Sequence, residues 1–135
     1  KDDPMIAATA LILTALLFGG MTFFSLGFAP VLFKQLPMDQ VRPLLRGTFP
    51  YYYLAVIGLG GAAAAVAAFA DPLAGGLLAA IALSTVYARQ VLMHQINAAT
   101  DRGDTGTFGR LHGLSVVIQL VQIGLAGWAV VILAA

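Results

Sequence analysis

The chain has 135 residues, of which 60% are hydrophobic and 10% charged, and its mean hydropathy is +0.91. A soluble chain this short has too little polar side chain to cover that much apolar surface, so the composition points to one membrane domain. The net charge of +1 is carried without a polybasic run, which excludes an electrostatic nucleic-acid footprint, and the absence of cysteine excludes disulfides, thiolate metal sites and cysteine nucleophiles.

The first apolar run, residues 5–33, exceeds the roughly 20 residues needed to span a bilayer, so it must tilt, kink or emerge. Pro30 marks a kink or an early end. A secretory signal would need a shorter core and a small-residue cleavage site, and here the apolar pattern runs on to Phe33, so the segment reads as a retained span. From Lys34 to Phe49 the chain turns polar. Met38, Val41, Leu44 and Leu45 share one helical face, which predicts a short interfacial helix weakened by Pro43.

Thr48 followed by Pro50 is a helix-start signal, and the second span runs over about 49–70. Ala55, Gly58, Gly61, Ala62, Ala65 and Ala68 recur along it at helical spacing, the pattern that admits close approach of a neighbouring helix from the same chain or from a second copy. A homo-oligomer is therefore an open expectation. Tyr51, Tyr52 and Tyr53 read most simply as an interfacial belt. Asp71, Pro72, Gly75 and Gly76 predict a tight turn into the third span, about 73–97. Residues 98–106 form the last loop, Thr107 is the expected cap of the fourth span, about 107–135, and Trp128 falls where an interfacial aromatic belongs.

Six of the seven Lys and Arg residues, namely Lys34, Arg42, Arg46, Arg89, Arg102 and Arg110, gather at the same ends of these spans. Short cytoplasmic loops carry the Lys and Arg excess, so these ends are expected in the cytoplasm and both termini outside it, in a bacterial inner membrane. So strong a bias argues against a dual-topology dimer.

Arg89 is the residue least explained by topology. If the third helix leaves hydrocarbon near His94, Arg89 lies roughly 7 Å inside at 1.5 Å per residue. It either snorkels to lipid phosphate and helix-end carbonyls or faces the bundle and builds a ligand site. On the fourth helix His112, Ser115, Gln119 and Gln122 follow at offsets of three, four and three, which makes one polar stripe. Interhelical hydrogen bonds, typically about 0.6 kcal/mol each, account for such a stripe as well as a solvated cavity does. Ser84, Tyr87, Gln90 and His94 on the third helix follow similar spacing and are expected to face it. The start of the fourth helix, with Arg110 and His112 beside its free amides, suits an anionic ligand or lipid headgroup, unless Asp104 supplies the compensating charge.

Two histidines raise a haem-binding redox reading, which fits poorly because both fall near the charged boundary. The four methionines are scattered and read as packing. No catalytic triad, nucleotide-binding loop or paired carboxylate is present, so no enzyme is expected, and neither leading reading calls for a cofactor. Small proton-coupled exporters with four helices use a membrane-embedded carboxylate, which this sequence does not offer.

Four strings stand in order: "GGMTFFSLGFAPVLFKQLP", "LLRGTFPYYY", "STVYARQ" and "FGRLHGLS". Together they resemble a bacterial membrane family of unknown function related to the eukaryotic transmembrane protein two-hundred-and-five, which is linked to cisplatin resistance. The resemblance implies a bundle of four spans. It singles out Phe33, Pro37, Phe49, Pro50, Tyr52, Arg89, Phe108, His112, Gly113 and Ser115 without giving them roles, and Gln119 stands where the pattern often has asparagine. The eukaryotic relative's association with drug export and vesicle traffic implies transport of an unnamed substrate, although thiol exchange with platinum is impossible without cysteine.

The leading expectation is an all-α integral membrane four-helix bundle, transport-related or ligand-binding, with an inner-leaflet site of Arg89, His112, Ser115, Gln119, Tyr87 and Arg110. The alternative is a structural or anionic-lipid-binding subunit that translocates nothing.

Overall fold

The computed structural model describes residues 3–135, and Lys1 and Asp2 lie outside the described residues. Four long helices account for nearly all of it: α1 (Pro4–Gln35), α2 (Met38–Ala70), α3 (Pro72–Asp101) and α4 (Thr105–Ala134), each long and apolar enough to cross a membrane. No strand occurs among the described residues. Hydrocarbon offers the backbone no hydrogen-bond partner, so a single apolar segment that enters it must bond within itself, and the helix is the way to do so.

Carboxylates start three of the four helices. Asp3 Oδ1 accepts from the amides of Met5 and Ile6, Asp71 Oδ1 from those of Leu73 and Ala74, and Asp104 Oδ1 from that of Thr107. Pro4 and Pro72 occupy first-turn positions, where no N–H is required. The expected Thr107 cap is corrected by this geometry: Asp104 caps, and Thr107 Oγ1 donates to its other oxygen at 2.7 Å. Asp71 also donates its amide to the Ala67 carbonyl, so one residue both ends α2 and starts α3.

The second helix begins earlier than expected. Residues 38–48 are helical, but they are the first turns of α2 and run without interruption through Pro43 and Pro50. Each proline removes a single N–H, and the rest of the ladder holds. Thr48 therefore starts nothing; its Oγ1 donates back to the Leu44 carbonyl at 2.7 Å. The third helix also runs longer, to Asp101, and Arg102 to Asp104 alone make the last turn, with Gly103 at φ 70°.

Pro30 does not end α1; it stands in the first turn of the α-helical stretch Ala29–Gln35. The turn before it, Phe23–Phe28, is π-helical, and the amide of Ala29 bonds the Phe24 carbonyl five residues back. A proline ring crowds the carbonyl four residues earlier, and a wide turn relieves that clash. A second wide turn, Ala88–Leu92, carries Arg89.

Each helix packs on the next in sequence, and α1 closes the ring against α4. The core is not centred in this ring. Ala10, Leu17 and Met21 of α1, Val56, Ala63 and Ala67 of α2, Ala74, Leu78 and Ile81 of α3, and Ala126, Ala129 and Leu133 of α4 form its main cluster, which runs from the Asp71 turn to about mid-bundle, and Val41, Leu92 and Ala99 are buried apart from it toward the charged loops. The α1 segments at the charged end, Phe23–Phe28 and Ala29–Gln35, bury no residue.

Candidate functional site

Arg89 is half-buried on the wide turn of α3 and reaches across to α2, where its Nε donates to the Pro50 carbonyl at 3.2 Å. Its Nη1 donates to Gln90 Oε1 at 2.8 Å. A guanidinium carries five N–H donors, and both acceptors here are neutral. Among the described residues the ion pairs are Arg46 with Asp101 at 2.7 Å and Arg102 with Asp104 at 3.4 Å, so Arg89 has no carboxylate against it. No carboxylate among the described residues compensates its charge, in a helix long enough to span the membrane.

The polar stripe of α4 divides. Gln122, 5% exposed, is the member that turns into the bundle: its Nε2 donates to Ser84 Oγ at 2.7 Å and Thr85 Oγ1 at 3.0 Å, and faces the Ile81 carbonyl at 3.4 Å. Both α3 hydroxyls in turn donate to the Ile81 carbonyl. Ser115 instead bonds its own helix, from Oγ to the His112 carbonyl at 2.7 Å. Gln119 is half-buried and makes no side-chain hydrogen bond among the described residues. His112 is exposed and stacks on Phe108 with ring centroids 5.4 Å apart.

Tyr87 is 43% exposed and faces away from the bundle core. Arg110 is exposed and donates to Thr107 Oγ1 at 3.3 Å. No hydrogen bond or ion pair joins Arg89 to Tyr87, Arg110, His112, Ser115 or Gln119 among the described residues, so the six expected site residues are distributed over several surroundings. At the start of α4 the Asp104 carboxylate takes the Thr107 amide and hydroxyl. Those bonds, with Thr107 foremost and Arg102 behind, hold the Asp104 carboxyl below the usual carboxylate range.

Between α1 and α2 the aromatic side chains are inside. Phe24 stacks on Tyr52 at 4.3 Å, Phe49 meets both edge-on, and Tyr53 is 6% exposed, so of the three tyrosines Tyr51 alone faces outward like a belt residue. Two side-chain oxygens beside this cluster, Thr22 Oγ1 and Ser25 Oγ, are buried without a well-formed hydrogen bond, and the Tyr52 hydroxyl lies next to Ser25. Two hollows stand out, and both are lateral and apolar. One of about 140 Å³ lies over Leu17, Met21, Tyr52 and Val56, and one of about 240 Å³ lies between α3 and α4 over Ser84 and Gln122.

His94 and His112 are both exposed, and no group of three His, Asp or Glu side chains suited to a metal occurs among the described residues. Thr85, Thr22 and Phe24 were not picked out by spacing. Thr85 had a signal in its position one helical turn from both Ile81 and Arg89; the other two had none.

Four apolar helices with capped turns and polar side chains placed between them define a multi-pass helical membrane protein. Residues 12–105 match the model of the family described as domain of unknown function DUF4149, and the chain belongs to that family. No curated protein and no solved structure matches it.

Proposed function

We propose that the protein is a small ligand-binding membrane protein of transport type, in which Arg89 receives an anionic group at the charged end of the bundle. One observation carries this reading: a half-buried arginine within a span that, among the described residues, bonds only the neutral oxygens of Pro50 and Gln90. A cation in that setting needs a counter-charge, and its remaining donors suit a phosphate or carboxylate. The Lys and Arg bias supports a cytoplasmic position for this end in a bacterial inner membrane. The resemblance to the eukaryotic drug-resistance-associated protein supports transport without indicating a substrate.

The test is retention of phosphatidylglycerol against phosphatidylcholine by purified protein, read by native mass spectrometry. Wild type is expected to keep the anionic lipid and Arg89→Ala to bind it roughly tenfold or more weakly, with Arg89→Lys between them, because charge-assisted hydrogen bonds contribute about 1.5–3 kcal/mol. Equal retention by wild type and Arg89→Ala would end this reading.

A second reading, a structural or lipid-organising subunit without a translocated substrate, is favoured by a separate observation. The Gln122 amide is tied into α3 and both hollows are apolar grooves open to the side. A stable oligomer that carries lipid but never a small solute would select it.

A further inference from the structure

The larger hollow is almost wholly apolar, but it lies over the Gln122 amide, whose hydrogen bonding is incomplete. It lies between α3 and α4, holds about 240 Å³, opens sideways toward lipid, and is walled by Ala80, Val117, Val121 and Leu125 over Ser84 and Gln122. The orientation of the Gln122 amide is fixed by its neighbours. A carbonyl only accepts, so the atom facing Ile81 O must be the N–H₂ group, which also serves the Ser84 and Thr85 oxygens. That leaves Oε1 on the other side of the amide. It accepts from no group among the described residues, although Gln122 is 95% buried, and it is not among the sealed, unbonded atoms of the interior.

An amide oxygen at this depth without a donor is costly, and an acyl chain offers none. The ligand that satisfies it brings one O–H or N–H on an otherwise apolar body. Its size is bounded as well, since an apolar cavity of about 150 Å³ holds benzene, so this groove admits a substituted ring. From the open Gln122 acceptor, the apolar walls and the lateral mouth, we infer that the α3–α4 groove binds a lipophilic phenol, its ring between the helices, its hydroxyl on Gln122 Oε1 and its tail in the bilayer. This site is separate from Arg89 and does not depend on the anion-binding reading.

The test uses the full chain in phosphatidylcholine nanodiscs and a matched pair of probes, 4-octylphenol and its methyl ether 4-octylanisole, with empty nanodiscs subtracted. The phenol is expected to bind about fivefold more tightly than the ether, the range of one net hydrogen bond. Gln122→Met is expected to abolish that preference. Ala80→Phe, which fills the groove and leaves the amide bonds in place, should weaken both probes, and Arg89→Ala should change neither. Equal affinity of wild type for the two probes, or a preference that survives Gln122→Met or Ala80→Phe, would overturn the assignment and leave the groove to acyl chains.

Discussion

Gln122 and Asp104 show how differently polar side chains act at the two depths of this molecule. Gln122 is a neutral amide inside the bundle, and its loss removes the α4 tie to Ser84 and Thr85 while both hydroxyls keep the Ile81 carbonyl. Gln122→Leu is accordingly expected to lower stability by about 0.6–1.7 kcal/mol, the measured range for interhelical side-chain bonds in membranes, as read from unfolding in detergent. Asp104 acts at the surface as the α4 cap. Its folded-state carboxyl is held below its ordinary value, so its contribution is present above the ordinary carboxylate range and is lost as pH falls through the lowered value. The protection of the Thr107 and Phe108 amides, measured relative to the intrinsic exchange rate at each pH, should fall on acidification, and Asp104→Ala should lower it at neutral pH too; protection that stays constant on acidification would contradict this account.

Among the elements, the α2–α3 hairpin is the most closely packed, and Gly75 is the reason. A methyl group there would sit 2.8 Å from the Ala68 Cα, a contact with backbone that no side-chain rotation relieves. Without a hydrophobic force between helices in lipid, such close backbone approach is what dispersion relies on. Gly75→Ala is expected to destabilise the protein by about 1–3 kcal/mol, whereas Gly61→Ala, whose added methyl meets nothing within 4 Å, should be nearly silent in unfolding measurements. The small-residue stripe seen in the sequence is thus divided by function. Ala55, Gly58, Gly61, Ala62 and Ala65 lie on the exposed side of α2, Ala68 of the same stripe packs on Gly75, and the buried residues of this stretch are Tyr53, Val56, Gly60, Ala63 and Ala67. Spacing identified a small-residue helix correctly but not the face it uses, because both faces of α2 are lined with alanine and glycine.

For the whole molecule, the main buried cluster lies toward the Asp71 turn, and the charged loops and the Phe24, Phe49, Tyr52 and Tyr53 cluster lie toward the other end. At the end bearing the charged loops the last part of α1 buries nothing, while Val41 of α2 and Leu92 and Ala99 of α3 are buried. If that end is cytoplasmic, the absence of cysteine makes labelling clean. Gln40→Cys should react with an impermeant maleimide only after cells are opened, and Leu73→Cys, beside the Asp71 turn, should react in intact cells. The reverse pattern would invert the topology.

Hydropathy with Pro and Asp punctuation was enough to predict four spans and an all-α bundle, because a bilayer demands about 20 apolar residues and a closed backbone from any segment that crosses it. The rotation of each helix about its axis was decided only by tertiary packing. In Pro4–Thr22 of α1, Pro72–Tyr87 of α3 and throughout α4 the apolar residues favour no side, since lipid and core are equally apolar surroundings, so periodicity carries no phase there. That is why the sequence singled out Arg89 and Gln122 as polar residues in apolar helices, yet only the folded bundle directs Arg89 to the Pro50 carbonyl on α2 and Gln122 to the hydroxyls of α3.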